Sequence, residues 1–263
     1  MHNYQNCHEN VWILSGTADG PILVDKLLKL NYVVFVSVIS YRASQAYKAN
    51  KKLHIFTGII SNEEEIKSFI KKNQIDRIID ATHPFALEIS DKLVRASLQI
   101  SLPLIRFERN FDKRVDMNFK FITNLTGIND VDLYKKNLLL AIGSRSLDST
   151  ARFYKDLGAN VFARIISTPE SISRGFASCV DNSNLAILNP SKIIDNNLEF
   201  YICKYWSIDY ILCRDSGGYP QMIWEHISFL SNIQLFLSKR PEANENVFKC
   251  SSYESLIEVL RLT

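Results

Sequence analysis

Short apolar runs alternate with amphipathic helical patterns from residue 11 onward, and no other feature of this sequence limits its possible folds as strongly. Five runs are rich in β-branched or aromatic residues and predict strands: VWILS (11–15), VVFVSVI (33–39), LHIFTG (53–58), RIID (77–80) and PLIRFE (103–108). Between the first two, PILVDKLLKL spaces its apolar residues as one helical face. This alternation predicts a parallel, doubly wound α/β sheet.

A second series of the same kind follows a polar stretch at 113–130 that breaks the alternation. Its predicted strands are LLLAIG (138–143), VFARII (161–166), LAIL (185–188), YILCRDS (210–216) and IQLFLS (233–238). We therefore predict two Rossmann-like domains with parallel sheets, residues 1–125 and 126–263, and an active-site cleft between them. The boundary falls within 110–135, because periodicity locates the ends of elements poorly.

The composition indicates a folded chain without a polymer-binding surface. At 263 residues, with 46% hydrophobic residues, the chain is long enough to bury the cores of two domains. Its 31 Lys and Arg against 28 Asp and Glu leave a net charge of +3, and no stretch combines clustered basic residues with aromatic ones. The charge pattern therefore predicts anionic small molecules, and not nucleic acid, as partners.

The cysteines and the first residues bear on the compartment. The five cysteines are widely spaced and lack a C-x-x-C pair, so neither a metal site nor a disulfide framework is predicted. The first ten residues, MHNYQNCHEN, lack the apolar core of a signal peptide, and no apolar run reaches the roughly 18 residues of a membrane span. We therefore expect a cytoplasmic protein that does not bind membranes.

The turn after the first predicted strand reads S-G-T-A-D-G, from Ser15 to Gly20. Glycines let the backbone turn tightly, and N–H groups at the start of the following helix attract phosphate, so Ser15, Gly16 and Thr17 are candidate cofactor-binding residues. The pattern differs from the full G-x-G-x-x-G fingerprint, and Asp19 has the wrong charge for a phosphate site. A tight turn in which Thr17 or Asp19 caps the helix agrees equally well with the spacing.

The second strand ends in S-V-I-S-Y-R, which places Ser40 and Arg42 directly after it. Dinucleotide enzymes that use NAD usually carry an acidic residue at this point for the ribose hydroxyls, whereas a basic residue suits the additional phosphate of NADP. Arg42 therefore favours NADP if the sheet binds a dinucleotide. If the sheet does not, Arg42 is an ordinary solvated arginine.

The fourth strand ends in D-A-T-H-P, which brings together Asp80, Thr82 and His83. Pro84 has the fixed backbone angle that suits a first helical turn, so these side chains are expected in the loop at the ligand-binding edge of the sheet. They offer an acid, a hydroxyl and a titratable ring, and we take them as candidate catalytic residues. The competing interpretation is that Thr82 or His83 only caps the helix.

A comparable turn, R-D-S-G-G at 214–218, follows a predicted strand of the second domain. Ser216, Gly217 and Gly218 would expose backbone donors beside the start of a helix and so bind an anionic group. A glycine turn without a ligand is the alternative.

Taken in order, these segments resemble the precorrin-6A reductase family of cobalamin biosynthesis over nearly the full length of the chain. The resemblance is carried by W-I-L-S-G-T, S-V-I-S-Y-R, D-A-T-H-P-F-A-L-E-I-S, P-L-I-R-F-E-R, I-G-S-R (142–145), A-R (163–164), D-S-G-G (215–218) and K-R-P (239–241). D-A-T-H-P is the most specific of them. Two segments depart from the family pattern. The first turn usually reads G-G-T followed by an acidic residue, and Y-P-Q-M-I-W-E-H replaces the threonine and lysine usual after D-S-G-G.

The resemblance implies an NADPH-dependent enzyme that reduces one double bond of precorrin-6A, or of its cobalt-containing counterpart, to give precorrin-6B. The residues implied in NADPH binding are Ser15, Gly16, Thr17, Ser40 and Arg42. A proton-supplying or positioning role is implied for Asp80, Thr82 and His83.

The tetrapyrrole substrate implied by the resemblance carries many carboxylate arms, which guanidinium groups bind in a bidentate fork. The residues implied in substrate binding are Arg145, Arg164, Ser216, Gly217 and Gly218. Other arginines near strand ends would suit the same substrate: Arg42, Arg106, Arg109 and Arg214.

Two other functions fit the same two-domain pattern. One is a glycosyltransferase-like enzyme that binds a nucleotide sugar in place of a nicotinamide. The other is a non-catalytic protein that binds a tetrapyrrole or NADP, because the altered segment after Gly218 would remove substrate contacts.

Overall fold

The computed structural model describes residues 9–108, 119–189, 198–242 and 247–262, and Arg109 lies outside them. The chain divides into two compact units: unit 1 contains Met1–Phe111 and Pro241–Thr263, and unit 2 contains Asp112–Arg240. Each unit has its own six-stranded parallel sheet in the described part of the chain, which confirms the predicted fold class. Among the described helices, none has the length and apolar character needed to cross a membrane.

Unit 1 is a doubly wound sheet in the order of dinucleotide-binding folds. Its elements are β1 (Asn10–Ser15), α1 (Asp19–Lys29), β2 (Val33–Val38), α2 (Tyr41–Ser44), β3 (Leu53–Thr57), α3 (Glu63–Asn73), β4 (Arg77–Ala81), α4 (Leu87–Gln99), β5 (Leu104–Phe107), and, after unit 2, β12 (Phe248–Cys250) and α9 (Tyr253–Leu262). The strands lie in the order β12-β5-β4-β1-β2-β3. Counted within unit 1 this is 6-5-4-1-2-3, and the winding direction reverses between β1 and β4.

Apolar side chains cover both faces of this sheet. One core contains Leu23 and Leu27 of α1 together with Leu256 of α9. The other contains Ile66 of α3 and Leu93 of α4. Because each helix buries a stripe of residues three or four apart, the helical spacing seen in the sequence marks the faces that meet the sheet.

The last described segment, residues 247–262, belongs to unit 1, which corrects the predicted placement of all of 126–263 in the second domain. β12 pairs with β5, with Cys250 opposite Phe107, and α9 packs Leu256 into the core of unit 1. Unit 2 is therefore inserted between the fifth and sixth strands of unit 1. The segment VFKC and the helix after it can be read from the sequence as the end of the second series, but periodicity does not indicate that their partner is β5, about 140 residues earlier.

Unit 2 repeats the architecture with a different edge strand. Its elements are β6 (Phe119–Ile122), β7 (Asn137–Ala141), α5 (Leu147–Asp156), β8 (Asn160–Ile165), α6 (Pro169–Phe176), a 3-10 turn (Asn182–Asn184), β9 (Leu185–Ile187), α7 (Leu198–Tyr205), β10 (Tyr210–Arg214), α8 (Tyr219–Ser231) and β11 (Gln234–Ser238). The strand order is β6-β11-β10-β7-β8-β9. The order of β11, β10, β7, β8 and β9 matches that of the first five strands of unit 1, so the winding direction reverses between β7 and β10. β6 occupies the edge position that β12 has in unit 1.

β6 lies inside the polar stretch at 113–130, where no strand was expected. It forms the edge of the described sheet beside β11, and Lys120 and Phe121 on it are exposed. An edge strand with exposed side chains shows neither a continuous apolar run nor a clear alternation, so sequence patterns do not reveal it.

Candidate active site

The turns after β1 and β4 meet where the winding of unit 1 reverses. β1 and β4 are parallel neighbours, with Ser15 opposite Ala81 at their carboxyl ends. The Gly16 N–H donates to the Ala81 carbonyl oxygen over 3.2 Å, and a Cβ at Gly16 would lie 3.0 Å from the backbone nitrogen of His83. The S-G-T-A-D-G and D-A-T-H-P segments therefore form one surface, and glycine permits their close approach.

Gly20 sets how closely α1 approaches the end of β1. A Cβ there would collide with Ser15 Oγ and lie 2.5 Å from the Tyr47 hydroxyl oxygen. Tyr47 donates to Ser15 Oγ over 2.7 Å, and Ser15 is buried. In the dinucleotide fingerprint the third glycine allows this close packing of helix on strand, and Gly20 has the equivalent role here. Ser15 thus packs beneath the turn, whereas Gly16 is exposed on it.

Thr17 forms two hydrogen bonds with Asp19, the first residue of α1. Its Oγ1 accepts the backbone N–H of Asp19 over 3.2 Å, and its hydroxyl donates to the Asp19 carboxylate over the same distance. The helix cap considered from the sequence is not formed, because the N-cap of α1 is Ala18 and no side chain caps it. Instead, Thr17 and Asp19 form a local side-chain turn. It is compatible with anion binding, because the turn also leaves Gly16 and Ala18 exposed at the amino end of the helix.

Ser40 and Arg42 lie at the carboxyl end of β2, the strand beside β1. Ser40 has extended backbone angles, and its hydroxyl oxygen accepts the Ala43 N–H over 3.3 Å as the N-cap of α2. Arg42 is exposed within this one-turn helix. The Ser40 hydroxyl therefore has a local structural partner, while Arg42 places a cation at the same edge of the sheet as Gly16.

Asp80, in β4, is the centre of a buried polar network. It is 2% exposed, and Arg106 on neighbouring β5 is 5% exposed. Arg106 Nη1 lies 2.8 Å from Asp80 Oδ2, and the Ser90 hydroxyl donates to the same oxygen over 2.6 Å. Thr82 donates to Asp80 Oδ1 through its N–H, over 3.0 Å, and its hydroxyl, over 2.7 Å. Both carboxyl oxygens of Asp80 are therefore engaged by donors from β5, α4 and the turn after β4.

The network assigns partners that the sequence did not indicate. Arg106 was expected to suit a substrate carboxylate, but its partner is Asp80, because the two residues are directly opposite each other on β5 and β4. Ser90 was not singled out, although it ends the D-A-T-H-P-F-A-L-E-I-S segment. Its position in that segment was the only sequence signal, since one helical turn of α4 must form before its hydroxyl reaches Asp80.

D-A-T-H-P continues into a turn before the helix begins. The Ala86 N–H donates to the His83 carbonyl oxygen over 2.8 Å, which puts Pro84 at the second position of a four-residue turn, where its fixed φ is favoured. α4 begins at Leu87, so the expected placement of Pro84 in the first helical turn is wrong. The Phe85 N–H donates to His83 Nδ1 over 3.3 Å, and the partly exposed ring is oriented by this contact.

In unit 2, Arg145 and Arg214 flank the position where the winding reverses. Arg145 is exposed in the turn after β7, in which Gly143 has a φ of 79°. Arg214 ends β10, the strand paired with β7, and its Nη2 donates to Ser146 Oγ over 2.9 Å. Burial lowers the pKa of Arg214, and the charge of Arg145 lowers it further. The fold thus holds two cations close together, an arrangement that favours an anionic ligand.

The D-S-G-G turn leads from β10 into α8. Gly217 has a φ of 63°, a backbone conformation that favours glycine, and Gly218 is the N-cap of α8. The Gly217 N–H donates to Gln221 Oε1 over 2.6 Å, and the Ser216 N–H donates to the Arg214 carbonyl oxygen over 2.7 Å. These two backbone donors, expected to be exposed for a ligand, are therefore engaged within the turn. Gln221 belongs to the segment that departs from the family pattern.

Arg164 is buried in an ion pair within unit 2. It lies on β8 and is 9% exposed, and its Nη2 is 3.1 Å from Glu199 Oε1 on α7. Burial lowers the pKa of Arg164, and the Glu199 charge opposes that shift. Arg164 was expected to face a substrate carboxylate, but the structure gives it an internal one. Glu199 lies 35 residues further along the chain, outside any motif, so no pattern pointed to it.

Comparisons with known proteins identify the family. The family described as Precorrin-6x reductase CbiJ/CobK matches residues 10–261. A cobalt-precorrin-6A reductase of Synechocystis sp. is 26% identical over 237 residues, covering 88% of each chain. One of Methanococcus maripaludis is 24% identical over 263 residues, covering 95% of this chain and 97% of the relative. A solved structure described as CobK precorrin-6A reductase has the same fold, with a TM-score of 0.77, 17% identity and 96% of both chains covered. The chain therefore belongs to the precorrin-6x reductase CbiJ/CobK family and is an oxidoreductase.

Proposed function

We propose that this protein reduces precorrin-6A, or cobalt-precorrin-6A, with a hydride from NADPH. Family membership and the named activity of the relatives support the proposal. The structural observation that carries it is the contact of Gly16 with the backbone of Thr82 and His83. This contact joins the candidate phosphate turn and the candidate proton-transfer ring at one edge of one sheet, the edge at which doubly wound sheets bind ligands.

The residues of unit 1 suit a phosphorylated nicotinamide nucleotide. Gly16 allows close approach of a ligand to the backbone, and Gly20 lets α1 start directly behind the turn, so that the amino end of the helix favours phosphate. Arg42 would bind the additional phosphate that distinguishes NADPH from NADH. When bound, the reduced nicotinamide supplies the hydride.

Reduction of a double bond requires a proton as well as a hydride, and we assign proton transfer to His83. Its Nδ1 accepts the Phe85 N–H over 3.3 Å, a contact that orients the neutral ring. To act as an acid the ring must first take up a second proton at Nδ1 in place of this contact, and the imidazolium would then donate from Nε2 and return to the neutral form. Asp80 has a different role in this proposal. With Arg106 and three donated hydrogen bonds around it, the carboxylate holds Thr82 and thereby the turn that carries His83.

Carboxylate arms of the substrate would bind to unit 2. Arg145 is exposed after β7 and would form a bidentate pair, with Arg214 reinforcing the positive potential. Ser216 and Gly218, after β10, are assigned further polar contacts. Arg164 is already paired with Glu199, and we assign it to holding the end of β8.

An anaerobic assay of the purified protein tests the proposal. Metal-free and cobalt-containing substrate are each supplied with NADPH or NADH, and the reduced macrocycle is measured together with nicotinamide oxidation. We expect reduction of at least one substrate, faster with NADPH. A melting temperature raised by UDP-sugars and not by NADPH would indicate a transferase. Binding of substrate and NADPH without turnover would indicate a binding protein, and either result would contradict the proposal.

A further inference from the structure

The orientation of Asp19 matters for any anion that binds the first turn of unit 1. Asp19 is the first residue of α1 and directly follows the Gly16–Ala18 turn that the proposed function assigns to the cofactor phosphates. The amino end of a helix attracts anions, but a carboxylate facing the same space repels them. Phosphate affinity there depends on where the Asp19 carboxylate is held.

The structure holds this carboxylate toward α9. Asp19 Oδ1 accepts the hydroxyl of Tyr253 over 2.7 Å, and Oδ2 accepts the hydroxyl of Thr17 over 3.2 Å. Tyr253 is the first residue of α9 and belongs to the segment that rejoins unit 1 after unit 2.

The ring of Tyr253 is itself fixed by neighbours in unit 1. Phe107 stacks on it, with ring centroids 5.1 Å apart and planes 23° apart. Lys26 Nζ lies 5.2 Å from the ring centroid. Because the ring is packed by two residues that do not involve Asp19, its hydroxyl sets the direction of the carboxylate.

We propose that Tyr253 is a positioning residue for cofactor binding: its hydroxyl holds the Asp19 carboxylate toward α9 and so keeps the amino end of α1 open to phosphate. The inference rests on the proposed NADPH site in unit 1. It gives the returning C-terminal segment a role in the site as well as in the sheet.

The test compares four variants of the full chain: Tyr253→Phe, Asp19→Asn, the double variant, and Tyr32→Phe as a matched control. Tyr32 donates to the Leu260 carbonyl oxygen of the same helix over 3.3 Å, so its removal loosens α9 without touching Asp19. NADP⁺ titration at low salt gives the dissociation constant, and steady-state assays give KM for NADPH and kcat. We expect Tyr253→Phe to raise the dissociation constant and KM about tenfold with little change in kcat, and Tyr32→Phe to change neither.

The double variant separates charge from packing. Because Asp19→Asn removes the repelling charge, the Tyr253→Phe/Asp19→Asn protein should bind NADP⁺ about as well as Asp19→Asn alone, and the Tyr253→Phe loss should shrink at high salt. Unchanged binding in Tyr253→Phe, an equal loss in Tyr32→Phe, or an undiminished loss in the double variant would overturn the inference. So would weaker binding caused by Asp19→Asn itself. Thermal unfolding verifies that each variant is folded. A wild-type protein that binds neither NADP⁺ nor NADPH would contradict the proposed function instead.

Discussion

Arg106 and Asp80 are directly opposite each other on β5 and β4, and Arg106 Nη1 lies 2.8 Å from Asp80 Oδ2. Both side chains are almost completely buried. The same carboxylate accepts both hydrogen bonds from Thr82, at the start of the turn that carries His83. The buried ion pair therefore contributes both to the stability of unit 1 and to the geometry of the D-A-T-H-P turn.

Loss of the Arg106 guanidinium should destabilise unit 1 strongly. In Arg106→Met the Asp80 carboxylate stays buried without its cation, and we expect the apparent free energy of unfolding to fall by about 3–5 kcal/mol. Arg95 provides the control, because this α4 residue is exposed and pairs with Glu63 of α3. Arg95→Met should lower the free energy of unfolding by less than about 1 kcal/mol. Urea unfolding followed by circular dichroism measures both. Similar losses in the two variants would show that the Arg106 pair is no more important than a surface one.

Replacement of His83 distinguishes a proton-transfer role from a turn role. His83→Ala should lower turnover by about a hundredfold or more while the protein stays folded. His83→Asn is the sharper variant, since the asparagine side chain can also accept the N–H of the residue two positions later but has no titratable ring. We expect it to keep the melting temperature of the wild type and to be as inactive as His83→Ala. Full activity of His83→Asn in the steady-state assay would leave His83 as a turn residue only.

Arg42 should discriminate between the two nicotinamide nucleotides. Reversal of its charge in Arg42→Glu should weaken NADPH about tenfold or more and affect NADH much less, because only NADPH carries the additional phosphate. Lys71→Glu makes the same charge change near the end of α3, at the opposite edge of the sheet, and should affect neither nucleotide. Titration of both nucleotides into each variant provides the measurement. Equal losses of NADPH and NADH would remove the case for Arg42.

Tyr154 should make unit 2 sensitive to alkaline pH. Burial raises its pKa from 10.0 to about 12, and its hydroxyl donates to the Leu125 carbonyl oxygen over 3.0 Å. Above pH 10 the unfolded state loses a proton that the folded state retains. The contribution of the protonated Tyr154 side chain to the free energy of unfolding is therefore complete below pH 10 and is lost as the pH rises through about 12.

The stability difference between wild type and Tyr154→Phe isolates this effect. It should be constant near neutral pH and shrink above pH 10, by at most about 1.4 kcal/mol per pH unit. Chemical unfolding of both proteins across this range measures it. A difference that does not change with pH would mean that Tyr154 ionises as easily in the folded protein as in the unfolded one.

Local patterns account for most of the elements and for the turns between them. α3 is an example: its acidic residues follow the N-cap Asn62, whose side chain accepts the Glu65 N–H over 2.9 Å, and two of its three lysines come in the last turn. Such interactions span one turn, so they can be predicted from adjacent residues. The same reasoning located the turn containing Gly16 and the D-A-T-H-P turn, and the ordered series of motifs predicted the family that the comparisons confirm.

Partners brought together from distant parts of the chain could not be predicted in this way. The alternation of strands and helices predicts a doubly wound sheet, but it does not state that β12 completes unit 1 or that β6 forms the edge of unit 2. The partner of each buried charge depends on which strands and helices become neighbours. For this reason only the folded chain pairs Asp80 with Arg106 and Arg164 with Glu199. Tyr253 reaches Asp19 across 234 residues because β12 joins the sheet beside β5 and α9 then packs into the same core as α1, and no short-range pattern encodes that contact.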